Sequence, residues 1–108
     1  MSVVYNSRQL KKLFTNLAAD GAQFCELRDL HSLQDAYALI QKQLHLPEHF
    51  GANLDALYDV LSNDVTGPVV MVWPDRLQSK EAMGDDYRAL LNVLLDVAAQ
   101  REDFVLFY

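Results

Sequence analysis

Leu46 to Leu61 reads LPEHFGANLDALYDVL, a loop bearing proline and glycine that runs into residues at helical apolar spacing. Asn53 stands where an N-cap belongs, and Leu54, Leu57, Tyr58 and Leu61 follow at i, i+3, i+4 and i+7, one apolar stripe. At 100° per residue Asp55 and Asp59 fall within about 40° of each other on the opposite side, with Ser62 predicted beside them. Two carboxylates one turn apart repel, at a cost of roughly 0.2 to 0.5 kcal/mol, and no base of the segment compensates them. Between Lys42 and Arg76 there is no Lys or Arg, whereas Glu48, Asp55, Asp59, Asp64 and Asp75 all lie there. The field of this segment has one sign.

Outward from that stretch the chain alternates helical and strand-like patterns. Ser7 is a cap for a helix through about Ala19, with Leu10, Leu13, Phe14 and Leu17 at helical spacing and Asp20-Gly21 as the stop. Gln23 to Leu27 is a short strand candidate. Asp29 or Ser32 opens a helix to about Leu44, on the stripe Leu33, Ala36, Tyr37 and Ile40. The acidic helix is expected to end near Ser62 or Asn63. Gly67-Pro68 precedes a continuous apolar run, Val69 to Trp73, which Pro74 ends. A short helix over about Asp75 to Ala82, a long one over about Asp86 to Gln100 and a last apolar run, Phe104 to Tyr108, complete the chain. Apolar runs without alternation suit strands buried on both faces, as in parallel sheets with helical crossovers. The expected fold is α/β: a small three-stranded parallel sheet packed with helices, one domain over residues 1–108, with residues 1–21 an N-terminal helical extension.

Composition narrows the function. The 108 residues carry 51% hydrophobic side chains, sufficient for a core without disulfides, and a formal net charge of −6. Direct nucleic-acid binding would need a basic patch that this chain does not offer, so a basic protein is the expected partner. Cys25 is the single cysteine. It excludes an intramolecular disulfide, suits a reducing compartment, and inside an apolar strand reads as a small core residue. His31, His45 and His49 are isolated in sequence, so no metal site and no cofactor are expected. Asp55 and Asp59 are of the type that performs general acid/base work, but their face has no sequence-visible pocket, so no catalytic residue is assigned. No segment approaches the ~18 apolar residues of a membrane span and no signal peptide is evident, which makes the cytoplasm the expected location.

The run Leu46, Pro47, Glu48, Phe50, Gly51, Asn53, Leu54, Asp55, Ala56, Leu57, with Asp59 and Leu61, resembles the loop and second helix of the barstar family, intracellular inhibitors of a secreted ribonuclease. The similarity extends more weakly from about Ala22 to Tyr108. It implies a barstar-like fold and a protein that occludes the basic active site of a barnase-like ribonuclease, or of a toxin with a ribonuclease domain, as an immunity protein does. By resemblance Asp59 enters the site where a substrate phosphate would sit, and Asp55 engages a second basic group. Asp96, from the polar strip Asn92, Asp96 and Gln100 of the last helix, aligns with a carboxylate set beside the acidic helix. The remaining contacts implied are Asn53, His49 in place of a rim aromatic, Tyr58 where a Trp is common, Asn63 in an Asn63-Asp64 pair that replaces Gly-aromatic, and Gln100 at a position acidic in better-known members. The alternative is a barstar-fold interaction module whose partner is not a ribonuclease.

Overall fold

The two apolar runs become neighbouring strands of one sheet because each can be buried on both sides, and the strand candidate at Gln23, with only Cys25 buried, takes an edge. The computed structural model describes residues 2–3, 21–47 and 50–108. Strand β1 is Ser2–Val3, β2 Gln23–Glu26, β3 Val69–Val72 and β4 Phe104–Phe107. Helix α1 spans Leu33–Leu44, α2 Leu54–Asp59, α3 Arg76–Met83 and α4 Asp85–Gln100. All strands are parallel in the order β1-β4-β3-β2. The sheet thus has the three strands expected and a fourth of two residues, whose place follows from the open edge of β4 and not from any pattern such a short segment can carry. The helix expected over Ser7 to Ala19 lies outside the described residues.

Strand alternation sorts the sheet into two apolar layers. Cys25, Met71 and Leu106 are in register and join the main core with Val69, Trp73 and Phe104, while Val70, Val72 and Phe107 form a second buried cluster on the other face. Against the main face α1 packs on β2, α4 packs on β4, and α2 lies against α4. Trp73, just after β3, has no exposed surface, and its indole Nε1–H donates to the buried Ser79 hydroxyl at 3.0 Å, so the one polar atom of that ring has a partner. Tyr87 lies against it, ring centroids 5.2 Å apart.

Helix boundaries follow capping chemistry. Ser32, not Asp29, caps α1, accepting from Asp35 N–H at 3.1 Å, and His45 ends it in the left-handed region at φ 55°. From α1 the Gln43 amide reaches the free edge of β2, where its Oε1 accepts from Glu26 N–H at 2.7 Å and its Nε2 donates to Glu26 C=O at 2.9 Å. A side chain thereby closes an edge that would otherwise invite strand pairing.

After Asp59 the helical path widens. Val60–Asp64 is a π turn, with Val65 N–H donating to Val60 C=O at 3.1 Å, so the carbonyls that follow lose their usual partners. Arg101, just past α4, supplies them. Its Nη1 donates to Leu61 C=O at 2.7 Å and to Val65 C=O at 2.8 Å, and its Nη2 donates to Gly67 C=O at 2.8 Å. The Nε and Nη2 groups take the two carboxylate oxygens of Asp103 at 2.9 and 3.0 Å. The whole guanidinium fork is engaged, with 13% of the side chain exposed.

Replacing Arg101 with Met, which keeps the stem and removes the fork, is expected to lower unfolding stability by about 3 kcal/mol, because charged donors leave part-buried carbonyls behind. Urea melts measure it. The hydrogen bonds from Arg101 hold the Asp103 carboxyl below the usual carboxylate range. A depressed pKa in the folded state contributes stability that is present above the unfolded pKa and lost as pH falls through the folded one. Asp103→Asn should therefore flatten the acid limb of stability against pH below about pH 4, a change visible in melts run from pH 2 to 6.

Candidate functional site

The acidic helix starts where its sequence says it should. Asn53 has extended backbone, its Oδ1 accepts from Ala56 N–H at 2.8 Å, and its Nδ2 donates to Gly51 C=O at 3.3 Å. One amide therefore caps the helix and ties down the loop before it. Ala52 reaches that cap through a positive φ of 47°, a conformation that costs a residue with a Cβ of order 1 kcal/mol or more. Upstream, Gln41 Nε2 donates to Pro47 C=O at 3.1 Å, and Phe50 sits edge-on to Tyr37 with centroids 6.1 Å apart. The loop is fastened to α1 at both ends.

Helix α2 buries Leu57, half-buries Leu54 and Tyr58, and exposes Asp55 and Asp59. The apolar stripe and the acidic side fall as the periodicity predicts. Ser62 does not. A π turn advances each residue by less than 100°, so Ser62 rotates away from the carboxylates and its Oγ is buried without a hydrogen-bond partner.

Asp55 and Asp59 meet Asp96 of α4 across a shallow groove of about 550 Å³, whose floor is Leu54, Tyr58 and Val93. Asp96 lies on the exposed strip of α4 with Asn92 and Gln100. Among the described residues no base forms an ion pair with these three carboxylates: the two ion pairs present are Arg28 with Glu26 and Arg101 with Asp103. Three free carboxylates over an apolar floor can accept guanidinium or ammonium groups, bidentately where an Arg is presented.

Of the other residues implied by resemblance, Tyr58 lines this groove, Asn63 is exposed on the π turn, and Gln100 is exposed a turn beyond Asp96 without joining the groove lining. Asn53 is exposed beside it, its amide committed to the cap. His49 lies outside the described residues. Two contributors carried no sequence signal of their role. Val93 supplies groove floor from within a broad apolar helix face, and Arg101 fixes the end of the acidic segment through carbonyls more than thirty residues away in the chain. A guanidinium that bonds backbone carries no side-chain pattern to find.

Cys25 is fully buried, and desolvation pushes its thiol up to about 12, which keeps it neutral at physiological pH. Among the described residues no three His, Cys, Asp or Glu side chains converge as a metal site, and no helix is long and apolar enough to cross a membrane. The groove presents an exposed acidic face spanning two packed helices, chemically complementary to a basic surface. Residues 22–108 match the family described as Barstar (barnase inhibitor), and the chain belongs to that family, whose members are protein inhibitors and not enzymes.

Proposed function

We propose that this protein is a stoichiometric inhibitor of a barnase-like ribonuclease, acting in the cytoplasm by laying the Asp55–Asp59 face of α2 and Asp96 of α4 over the basic active site of the enzyme. One observation carries it: three carboxylates from two helices line a single groove and none is paired with a base of the described chain. A ribonuclease must hold cationic side chains around a phosphate, and a fixed carboxylate replaces that phosphate without being cleaved. Asp59 has the central role, Asp55 and Asp96 flank it, and Asn53, Tyr58, Asn63, Gln100 and His49 belong to the surrounding contact surface. Inhibition is occlusion, with no cofactor and no turnover. A second reading, a partner that is not a ribonuclease, draws support from the exposed, polar Asn63 and Asp64 where the resemblance has a glycine and an aromatic. RNA cleavage by barnase, titrated with this protein, decides between the two: inhibition complete at one equivalent supports the first.

With a ribonuclease that the protein inhibits, Asp59→Ala is expected to cost several kcal/mol of affinity, as a central desolvated charge does when truncated, while Glu26→Ala costs little. The barnase–barstar pair is itself the standard example of such a charged hot spot, so the size of the effect is borrowed from it. Calorimetry on both variants checks it, and equal losses would rule out this interface. In the free protein the same Asp59→Ala change should raise unfolding stability by a few tenths to about 1 kcal/mol, since alanine is the better helix former and one repelling charge is gone. Asp55 lies in the first turn, where the helix dipole favours an anion, so Asp55→Ala should gain less or nothing. Denaturant melts of the two variants settle whether these carboxylates serve the scaffold or the partner.

Association should slow steeply as salt rises while dissociation changes less, because screening acts on the encounter and not on the docked core. Stopped-flow kinetics across ionic strength give both rates. An association rate indifferent to salt would make the one-signed surface incidental.

A further inference from the structure

Asp59 borders a second groove besides the one it shares with Asp96. This one, about 190 Å³, runs between Pro47 and Phe50 on one side and the start of the π turn on the other, with Pro47, Phe50, Ala56 and Val60 as walls and, among the described residues, Asp59 and Asp64 as its charges. Gly51 keeps it open: a Cβ there would stand 3.3 Å from that of Ala56. The volume is below the roughly 300 Å³ at which small-molecule sites begin, a space for one side chain and not for a nucleotide.

The charges at its mouth are free. Neither Asp59 nor Asp64 pairs with a base of the described chain, and Arg101, which bonds the carbonyls of Leu61 and Val65 on either side, has its donors committed to carbonyls and to Asp103. Asp64 is therefore held at a set place by a neighbour that does not neutralise it. An apolar slot ending in two carboxylates complements an amphipathic cation, one with an aliphatic stem and a charged head.

We propose that this groove seats a single arginine side chain of the partner, its stem along Pro47, Ala56 and Val60 and its guanidinium between Asp59 and Asp64. Two carboxylates at one slot favour a planar guanidinium, which can pair with both at once, over a lysine ammonium. The inference deepens the inhibitor reading and rests on it for the identity of the partner. It assigns Asp64 as a specificity-determining residue: only a partner presenting a cation at this point gains from it.

The test needs no ribonuclease. The ¹⁵N-labelled full-length protein is titrated with N-acetyl-arginine amide, and with N-acetyl-citrulline amide, which has the same shape and no charge. Saturable shifts of the Ala56, Val60 and Asp64 amides are expected with arginine and not with citrulline. Asp64→Asn should weaken that binding by about three- to fivefold, the worth of one exposed charge pair, whereas Glu102→Gln, which lines neither groove, leaves it within about twofold. Shifts that do not saturate, an equal response to citrulline, or unchanged binding in Asp64→Asn would each overturn the proposal. Failure here leaves inhibition of barnase untouched, and an uninhibited barnase leaves the groove result standing, so the two ideas fail separately.

Discussion

The guanidinium of Arg101 holds together three things that local sequence leaves apart: the end of the acidic segment, the Gly67 turn that leads into β3, and the entry to β4 through Asp103. A π turn releases carbonyls from their usual helical donors, and released carbonyls in a part-buried place cost more than a net hydrogen bond returns. An ordinary helix end would be finished by a glycine in the left-handed region or by water. Here a planar fork does it from a distant part of the chain, because five donors in fixed geometry can meet several carbonyls at once, which a lysine cannot. The consequence is positional: the segment that carries Asp59 and Asp64 is fastened at its start by Asn53 and at its end by Arg101, and among the described residues no base pairs with its carboxylates.

That separation of duties explains how the fold tolerates a face of one sign. The apolar side of α2 is committed to the core through Leu57, and Val60, Leu61 and Val65 continue that commitment through the π turn. Burying one such side chain contributes about 1.5 to 3 kcal/mol, several times the few tenths that a pair of exposed like charges costs. Packing therefore decides where the helix sits, and electrostatics on the outer side is left free for a partner. The absence of Lys and Arg from Lys42 to Arg76 thus leaves a uniform field without threatening the fold.

Legibility in the sequence tracked the range of the interactions. The cap at Asn53, the stripe of α2, the exposed strip of α4 and the strands Gln23–Glu26, Val69–Val72 and Phe104–Phe107 depend on neighbours within a turn or on burial of a continuous run, and each is visible in a local window. The π turn was not visible, because VLSND has the same periodicity whether its turn is α or π. Its released carbonyls are met by Arg101, a partner known only once the chain has folded. An α periodicity puts Ser62 with the carboxylates, whereas the π turn encloses its Oγ instead. In the sequence Asp64 is one more charge in an acidic field; only the fold shows that it shares a groove with Asp59. Strand β1, two residues long, is defined by a sheet edge and not by its own composition.

The fastening at both ends of the acidic segment bears on binding as much as on stability. Every side chain that must be ordered on association takes roughly 0.5 to 1.5 kcal/mol from the gross interaction, and a loop that must be ordered takes more. The loop before α2 is already tied through Gln41, the Phe50–Tyr37 contact and both ends of the Asn53 amide, and the turn after it through Arg101. Aspartate adds to the economy, since its short side chain has less rotamer freedom to lose than the longer glutamate. The backbone strain at Ala52 lies in the same loop, where a residue kept in a costly conformation marks a position that the surrounding bonds over-determine. On the inhibitor reading proposed above, a surface arranged this way would spend little of its Coulomb attraction on ordering itself, leaving the attraction of a basic partner for these carboxylates available as affinity as well as speeding the encounter.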